Sequence, residues 1–332
     1  ISSAIIFGRY YSLNRYNEQF TKENSEKSFI RKNNLNSKDN NKIKKFSDLI
    51  EKAREEKKNS KYQISIKTFY QALDVLSEYA PKEQFDDISA SIFEEIAENH
   101  FFLGNYNSAE KLFKDSLKTK KNLFGINDMK VASTLYNLGS TNIYQGKYKE
   151  AEENVLKALK IQEKVLDKDD YEIFKTVIRL QDVYFNLGNY KKAELTAKKA
   201  ISFANKNLSK NDPNIAYIKN TLGRQYLFVG KYNLSQNLFL EAIDILKNNF
   251  GPNYPTTLKV KINLANSYKL KGNYQEARNI LISNLEIVKK KNGVNDITTA
   301  KYQSYLADLY LEMDLYKKAE DLYLISFDTL KG

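Results

Sequence analysis

A Gly-x-Tyr triplet recurs every 42 residues along most of this 332-residue chain, and a fixed period of that length restricts the fold more than any other feature of the sequence. It stands at Gly104-Asn105-Tyr106, Gly146-Lys147-Tyr148, Gly188-Asn189-Tyr190, Gly230-Lys231-Tyr232 and Gly272-Asn273-Tyr274. Asp314-Leu315-Tyr316 keeps the spacing, with aspartate in place of glycine, and aspartate is one of the few residues that tolerates a left-handed backbone. Gly139 and Gly223, and Gly125, Gly251 and Gly293, follow the same period, so ten of the twelve glycines are committed to three structural phases. None remains for a phosphate-cradling loop, and no Gly-Lys-Ser/Thr or Gly-x-Gly-x-x-Gly occurs.

Around each triplet lie two apolar-periodic segments, which predicts two antiparallel helices with the glycine ending the first. Three residues past the tyrosine comes a small residue: Ala109, Ala151, Ala193, Ser235, Ala277 and Ala319. Four further on stand Phe113, Val155, Ala197, Phe239, Leu281 and Tyr323, and three beyond these Ser116, Ala158, Ala200, Ala242, Asn284 and Ser326. Spacings of three and four put all of them on one helical face, with the small residues where the two helices approach closely.

This register resembles the tetratricopeptide repeat (TPR). Leu138-Gly139 and Leu222-Gly223 match its Leu-Gly pair, and Tyr184, Tyr226, Tyr268 and Tyr310 its first-helix tyrosine. The 42-residue period, with linkers such as Leu123-Phe124-Gly125-Ile126-Asn127-Asp128, is similar to the kinesin-light-chain type. The resemblance implies an all-α, right-handed superhelical solenoid of antiparallel helix hairpins whose first helices line a concave groove. Six repeats are expected over 87–332 as one quasi-continuous core, preceded by a divergent hairpin at 46–86 that contains Ser60-Lys61-Tyr62. Stacking of hairpins consumes most of the 24 tyrosines, and His100, at the first-helix tyrosine phase, reads as a packed neutral histidine.

Composition removes several chemistries. Cysteine is absent and histidine occurs once, which excludes disulfides, thiolate metal sites and histidine relays; no cofactor or metal is expected. The carboxylates fall at solvated helix phases, such as Glu150, Glu152 and Glu153, and form no shielded catalytic constellation. Net charge is +12, half of it in residues 1–60. Residues 1–45 read as a basic disordered tail. Its acid-poor start, with Arg9-Tyr10-Tyr11-Ser12, fits either the end of a mitochondrial targeting segment or a plain basic tail, leaving a mitochondrial or a cytoplasmic location open. No apolar run is long enough to span a membrane.

Carried over by phase, the resemblance implies that three first-helix positions of each repeat face the groove. These include Glu95 and Glu98; Asn137; Lys175, Arg179 and Asp182; Arg224; Lys259, Asn263 and Asn266; and Lys301, Tyr305 and Asp308. The candidate peptide-binding set is Asn137, Lys175, Arg179, Arg224, Lys259, Asn263 and Asn266. Its cations suit a protein or peptide with an acidic extended segment, and its asparagine amides can pair with a peptide main chain. Glu94, Glu95 and Glu98 make the first repeat acidic. Asn137, Lys175 and Arg179 match part of the carboxylate clamp of some TPR domains, but Glu94 and Glu98 stand where that clamp needs Lys and Asn, which argues against a chaperone terminus as ligand.

The sequence therefore predicts a non-catalytic protein-interaction scaffold, or a structural subunit of a larger assembly. The alternative is an RNA-associated subunit of an organellar ribonucleoprotein that contacts phosphates through the basic tail. Leu322, Tyr323, Ile325, Phe327 and Leu330 leave the last helix apolar, so a partner, a second copy of the chain or sequence beyond Gly332 is expected to cover that face.

Overall fold

The computed structural model describes residues 37–331, with side chains from residue 40. The predicted targeting segment and nearly all of the basic tail lie outside the described residues. Fourteen helices are present among them, and no strand. They divide into two compact units that meet in sequence between Asn189 and Tyr190.

The first unit contains α1 (Ser37–Lys58), α2 (Tyr62–Ser77), α3 (Lys82–Phe102), α4 (Tyr106–Phe124), α5 (Met129–Tyr144), α6 (Tyr148–Val165) and α7 (Tyr171–Asn186). Helices α1/α2, α3/α4 and α5/α6 pack as hairpins. Ala53, Ile66, Phe69, Leu76, Ile92 and Ile96 form a core shared by α1, α2 and α3, and Phe113, Val131, Leu135, Leu138 and Ile161 continue it through α4, α5 and α6. The second unit contains α8 (Tyr190–Asn207), α9 (Pro213–Phe228), α10 (Tyr232–Phe250), α11 (Pro255–Leu270), α12 (Tyr274–Asn292), α13 (Ile297–Glu312) and α14 (Tyr316–Lys331). Its hairpins are α9/α10, α11/α12 and α13/α14, with Leu258, Leu281, Leu285, Leu306 and Leu309 in a core built from the last four helices.

The repeat phases do what their chemistry requires. Every small residue of the second helices, from Ala109 to Ala319, is buried, as are Phe113, Val155, Ala197, Phe239 and Leu281 one turn on. Gly104 at the first full turn has φ 80°, and the substituted positions Asp314 and Ser60 adopt φ 59° and 61°, so the turn keeps its left-handed geometry where glycine is missing. In each of these turns the next amide bonds back into the first helix, for example Asn105 N to His100 O. His100 itself is half-buried, and burial pushes its imidazole pKa down.

Three boundaries differ from expectation. Helix α1 begins at Ser37 rather than near 46, because Ile43, Phe46, Ile50 and Ala53 form one apolar stripe that packs on α2 and α3; residues 37–45 are helical and are not part of a disordered tail. Helix α3 starts at Lys82, five residues before the expected repeat boundary. The boundary between the two compact units, at Asn189/Tyr190, falls inside the third 42-residue copy. The second helix of that copy, α8, buries only Ala193, Ala197, Ala200 and Ala204, where its counterparts bury Phe113, Val155, Phe239 or Leu281.

Candidate functional site

The starts of the first helices are fixed by a second 42-residue signal, which the triplet analysis missed. Asp128, Asp170, Asp212 and Asp296 each accept a hydrogen bond from the backbone N–H two residues on, capping α5, α7, α9 and α13. Positions 175, 259 and 301 each lie five residues past this cap position, held by Asp170, Tyr254 and Asp296, and so occupy equivalent places on α7, α11 and α13, although Tyr254 makes no side-chain cap bond.

In the first unit the predicted site residues are already neutralised. Lys175 Nζ lies 2.8 Å from Glu172 Oε1, one turn back on α7, and 5.9 Å from the centre of the Tyr136 ring. Burial opposes the Lys175 charge, but Glu172 and Tyr136 outweigh it and hold its pKa above the usual value. Arg179 Nη1 bonds Asp182 Oδ2 at 3.2 Å, its Nη2 donates to Tyr136 Oη at 3.3 Å, and its guanidinium stacks 5.6 Å from that ring. Two cations thus face two carboxylates and one phenol. Asn137 sits half-buried on α5.

The expected acidic end is neutralised as well. Lys57 of α1 bridges Glu95 and Glu98, Arg54 bonds Glu95 at 3.1 Å, and Lys120 of α4 pairs with Glu94 at 2.7 Å while Thr134 donates to the same carboxylate. Three acids meet three bases, so the carboxylates act as ties between α3 and its neighbours. The ties were invisible from phase analysis because Arg54 and Lys57 belong to the divergent hairpin and Lys120 to a second helix.

The second unit is different. Lys259 is half-buried on α11 and makes no ion pair among the described residues; the charges that act on it there are Arg224 of α9 and Lys301 of α13. Burial, then these two cations, push its pKa from 10.5 down to about 8. Lys301 is exposed and, among the described residues, also makes no ion pair. It belongs in this cluster although the candidate set omitted it. The physical reason for the contrast with Lys175 is local. Three residues before Lys175 stands Glu172, whereas Thr256 and Thr298 stand before Lys259 and Lys301. Asn263 is drawn into structure, its Nδ2 donating to Asn220 Oδ1 of α9 at 2.8 Å, while Asn266 and Tyr305 are exposed beside the lysines on the same helices. Asp308, a turn beyond Tyr305, accepts from Tyr323 Oη of α14.

A stack of capped helical hairpins with a polar first-helix face defines a helical-repeat binding protein. Tetratricopeptide-repeat models match residues 88–164 and 256–324, and a second such model residues 182–207, together more than half of the chain. The chain belongs to the tetratricopeptide repeat family. No curated protein matches the sequence. Among solved structures, nearly identical TPR-like repeats assigned to a kinesin light chain from Podosopora anserina align at 19% identity and TM-score 0.52, over 62% of this chain and 97% of that one. A Rap protein complexed with competence and sporulation factor aligns at 13% identity and TM-score 0.62, over 86% of this chain and 74% of that one. Aspartyl phosphate phosphatase F from Bacillus subtilis aligns at 12% identity and TM-score 0.66, over 99% and 81%. At these identities the likeness is one of fold.

Proposed function

We propose that this chain is a non-catalytic protein-binding scaffold whose second unit receives an extended acidic segment along α9, α11 and α13. The observation that carries this reading is Lys259, a half-buried cation whose charged neighbours are Arg224 and Lys301. Isolated cations tend to acquire a counter-charge or lose their proton. Here the repeat position that supplies the counter-charge to Lys175 holds threonine twice, so the compensating anion is best supplied by a ligand. Asn266 and Tyr305 beside the lysines add neutral hydrogen-bonding groups for a peptide main chain. The complex formed by a Rap protein of similar fold with its factor supports a binding role for such a helical array.

The test is fluorescence anisotropy of a labelled peptide of six Glu-Gly pairs with the full chain. Replacing Lys259 and Lys301 by Gln should weaken binding about 10-fold or more, as expected for lost charge-assisted hydrogen bonds of about 1.5–3 kcal/mol. Lys175→Gln should change it less than about twofold, since that lysine is satisfied by Glu172. Equal losses from both sets would remove the assignment to the second unit.

A further inference from the structure

Helix α14 carries a stripe that nothing covers among the described residues. Tyr316, Glu320, Tyr323 and Phe327 follow one another at steps of four, three and four, and with Leu311 of α13 they wall a hollow of about 460 Å³. Tyr316, Phe327 and Leu330 are exposed along it, with Leu324 beside them. One period earlier the same phases are closed: Leu281, Leu285 and Val288 of α12 are buried in a core with Tyr302, Leu306 and Tyr310 of α13. The stripe is thus the side of a second helix that takes another helix. It holds two charges of opposite sign, Glu320 near its start and Lys331 at its end, three turns or about 16 Å apart on one face. Lys331 Nζ lies 5.9 Å from the centre of the Phe327 ring, so it stands over the stripe. Neither charge makes an ion pair among the described residues.

Other copies of the repeat show what an acid at the Glu320 phase does when a following hairpin is present. Glu110 of α4 and Glu194 of α8 occupy that phase. Glu110 accepts from Gln145 at 2.8 Å and pairs with Lys147 at 2.6 Å, both just past α5, and Glu194 accepts from Tyr226 Oη of α9 at 3.0 Å. In each case the donor comes from the hairpin packed next to the stripe, and Glu320 has the acid without that donor. We propose that a second copy of this chain supplies it, the two α14 helices packing antiparallel about a two-fold axis that passes between Leu324 and Phe327. Counted outward from that axis, Glu320 of one copy lies level with Lys331 of the other, and Leu324 with Phe327, and the symmetry makes each contact twice. A parallel pairing would set Glu320 against Glu320 and Lys331 against Lys331, so charge selects the antiparallel form. Half-exposed leucine and aromatic side chains contribute on the order of 100 Å² each, which puts the interface near about 1,000 Å² in total, the size of a weak and reversible contact. This surface lies on a second helix and is separate from the first-helix face proposed to receive an acidic segment.

The experiment is sedimentation velocity of the full chain from about 2 to about 200 μM in about 0.05 M salt, where exposed charges are little screened. Wild type should pass from monomer to dimer and stop there, because an isologous contact closes at two copies. Glu320→Lys and Lys331→Glu each turn two attractions into two repulsions and should each weaken dimerisation about 10-fold or more. Mixed in equal amounts, the two single variants should pair with one another at about wild-type strength, since one then carries two cations on its stripe and the other two anions. Both residues are exposed, so helical circular dichroism should be the same for wild type and both variants. A wild-type chain that stays monomeric throughout leaves the face to some other partner and overturns the proposal, as does association that continues beyond two copies. Dimerisation indifferent to both reversals places the contact elsewhere on the chain, and a mixture as weak as the single variants overturns the antiparallel register.

Discussion

Replacing Lys259 with methionine should make the folded chain more stable at pH 7, which is the opposite of what removing a half-buried residue usually does. Methionine keeps the apolar stem against α11 and its neighbours while deleting the ammonium. The folded chain holds that ammonium at a pKa of about 8 against 10.5 for an ordinary lysine. At about 1.36 kcal/mol per pH unit this corresponds to about 3 kcal/mol of folded-state penalty, which solvent screening of a partly exposed side chain reduces to about 1–2 kcal/mol. The sign follows from proton linkage. Between pH 8 and 10.5 the unfolded chain binds the proton and the folded chain releases it, so wild-type stability rises with pH across that window. The penalty is complete below pH 8, falls to less than about half by pH 9.5, and is gone above 10.5. Urea unfolding followed by helical circular dichroism should therefore show Lys259→Met ahead of wild type by about 1–2 kcal/mol at pH 7, with the gap closing toward pH 9.5. A variant less stable than wild type at pH 7, or a gap that does not change with pH, would refute the claim that Lys259 sits uncompensated among cations.

The other predictions concern the scaffold itself. A Cβ at Gly223 would lie 2.7 and 2.9 Å from ring atoms of fully buried Phe239, so Gly223→Ala should cost about 1–3 kcal/mol in overpacking against about 1 kcal/mol of helix propensity, a net lowering of the urea midpoint; a raised midpoint would show that the two helices can separate freely. Lys57→Met strands Glu98 and leaves Glu95 with Arg54 alone, and should destabilise by about 3 kcal/mol at pH 7, less at pH 4, where Glu98, whose carboxyl is pushed up by burial, takes a proton; an equal loss at both pH values would contradict the pairing. Asp314→Gly relieves a non-glycine φ of 59° and should raise stability by about 0.5–1 kcal/mol in the same melts, whereas a loss would mean that the Tyr316 Oη bond to Asp314 matters more than the backbone. Phe327 and Leu330 are 60% and 50% exposed where Leu285 and Val288, one period earlier, are buried, so light scattering should show concentration-dependent association of the chain that Phe327→Ser with Leu330→Ser weakens; a wild-type chain monomeric at every concentration would count against it.

What was legible in the sequence was whatever obeys the period. The Gly-x-Tyr turns, the small residue three positions on and the large residue four beyond it are each set by contacts within one hairpin or with its neighbour, and those contacts repeat every 42 residues. The left-handed turn at Asp314 was legible for the same reason, since the position demands the conformation whatever the residue. Charge was much less legible. Lys175, Arg179, Glu95 and Glu98 look like groove charges when each is placed on its own helix, yet each is closed by a residue at a different phase: Glu172, Asp182, Lys57. Ion pairs depend on side chains that reach a turn along the helix or across to a neighbour, and such partners drift between copies without disturbing the apolar register.

That drift is also where specificity enters a repeat protein. The period is under one constraint, stacking, which is nearly the same in every copy. A first-helix position facing away from the core is free of that constraint, so what differs there between copies reports something other than folding. Positions 175, 259 and 301 all carry lysine, and if lysine served only to solvate the face, the acid three residues before it would be of no consequence to the ligand. Its presence before Lys175 and its replacement by Thr256 and Thr298 turn one residue type into two electrostatic situations: a closed pair in the first unit and an open cluster in the second. Keeping a half-buried lysine that lowers stability at neutral pH is intelligible if a bound anion recovers that loss, because a ligand that binds only the folded chain adds its own stabilisation. The acidic Glu-Gly peptide should then raise the wild-type unfolding midpoint and leave that of Lys259→Met with Lys301→Gln unchanged.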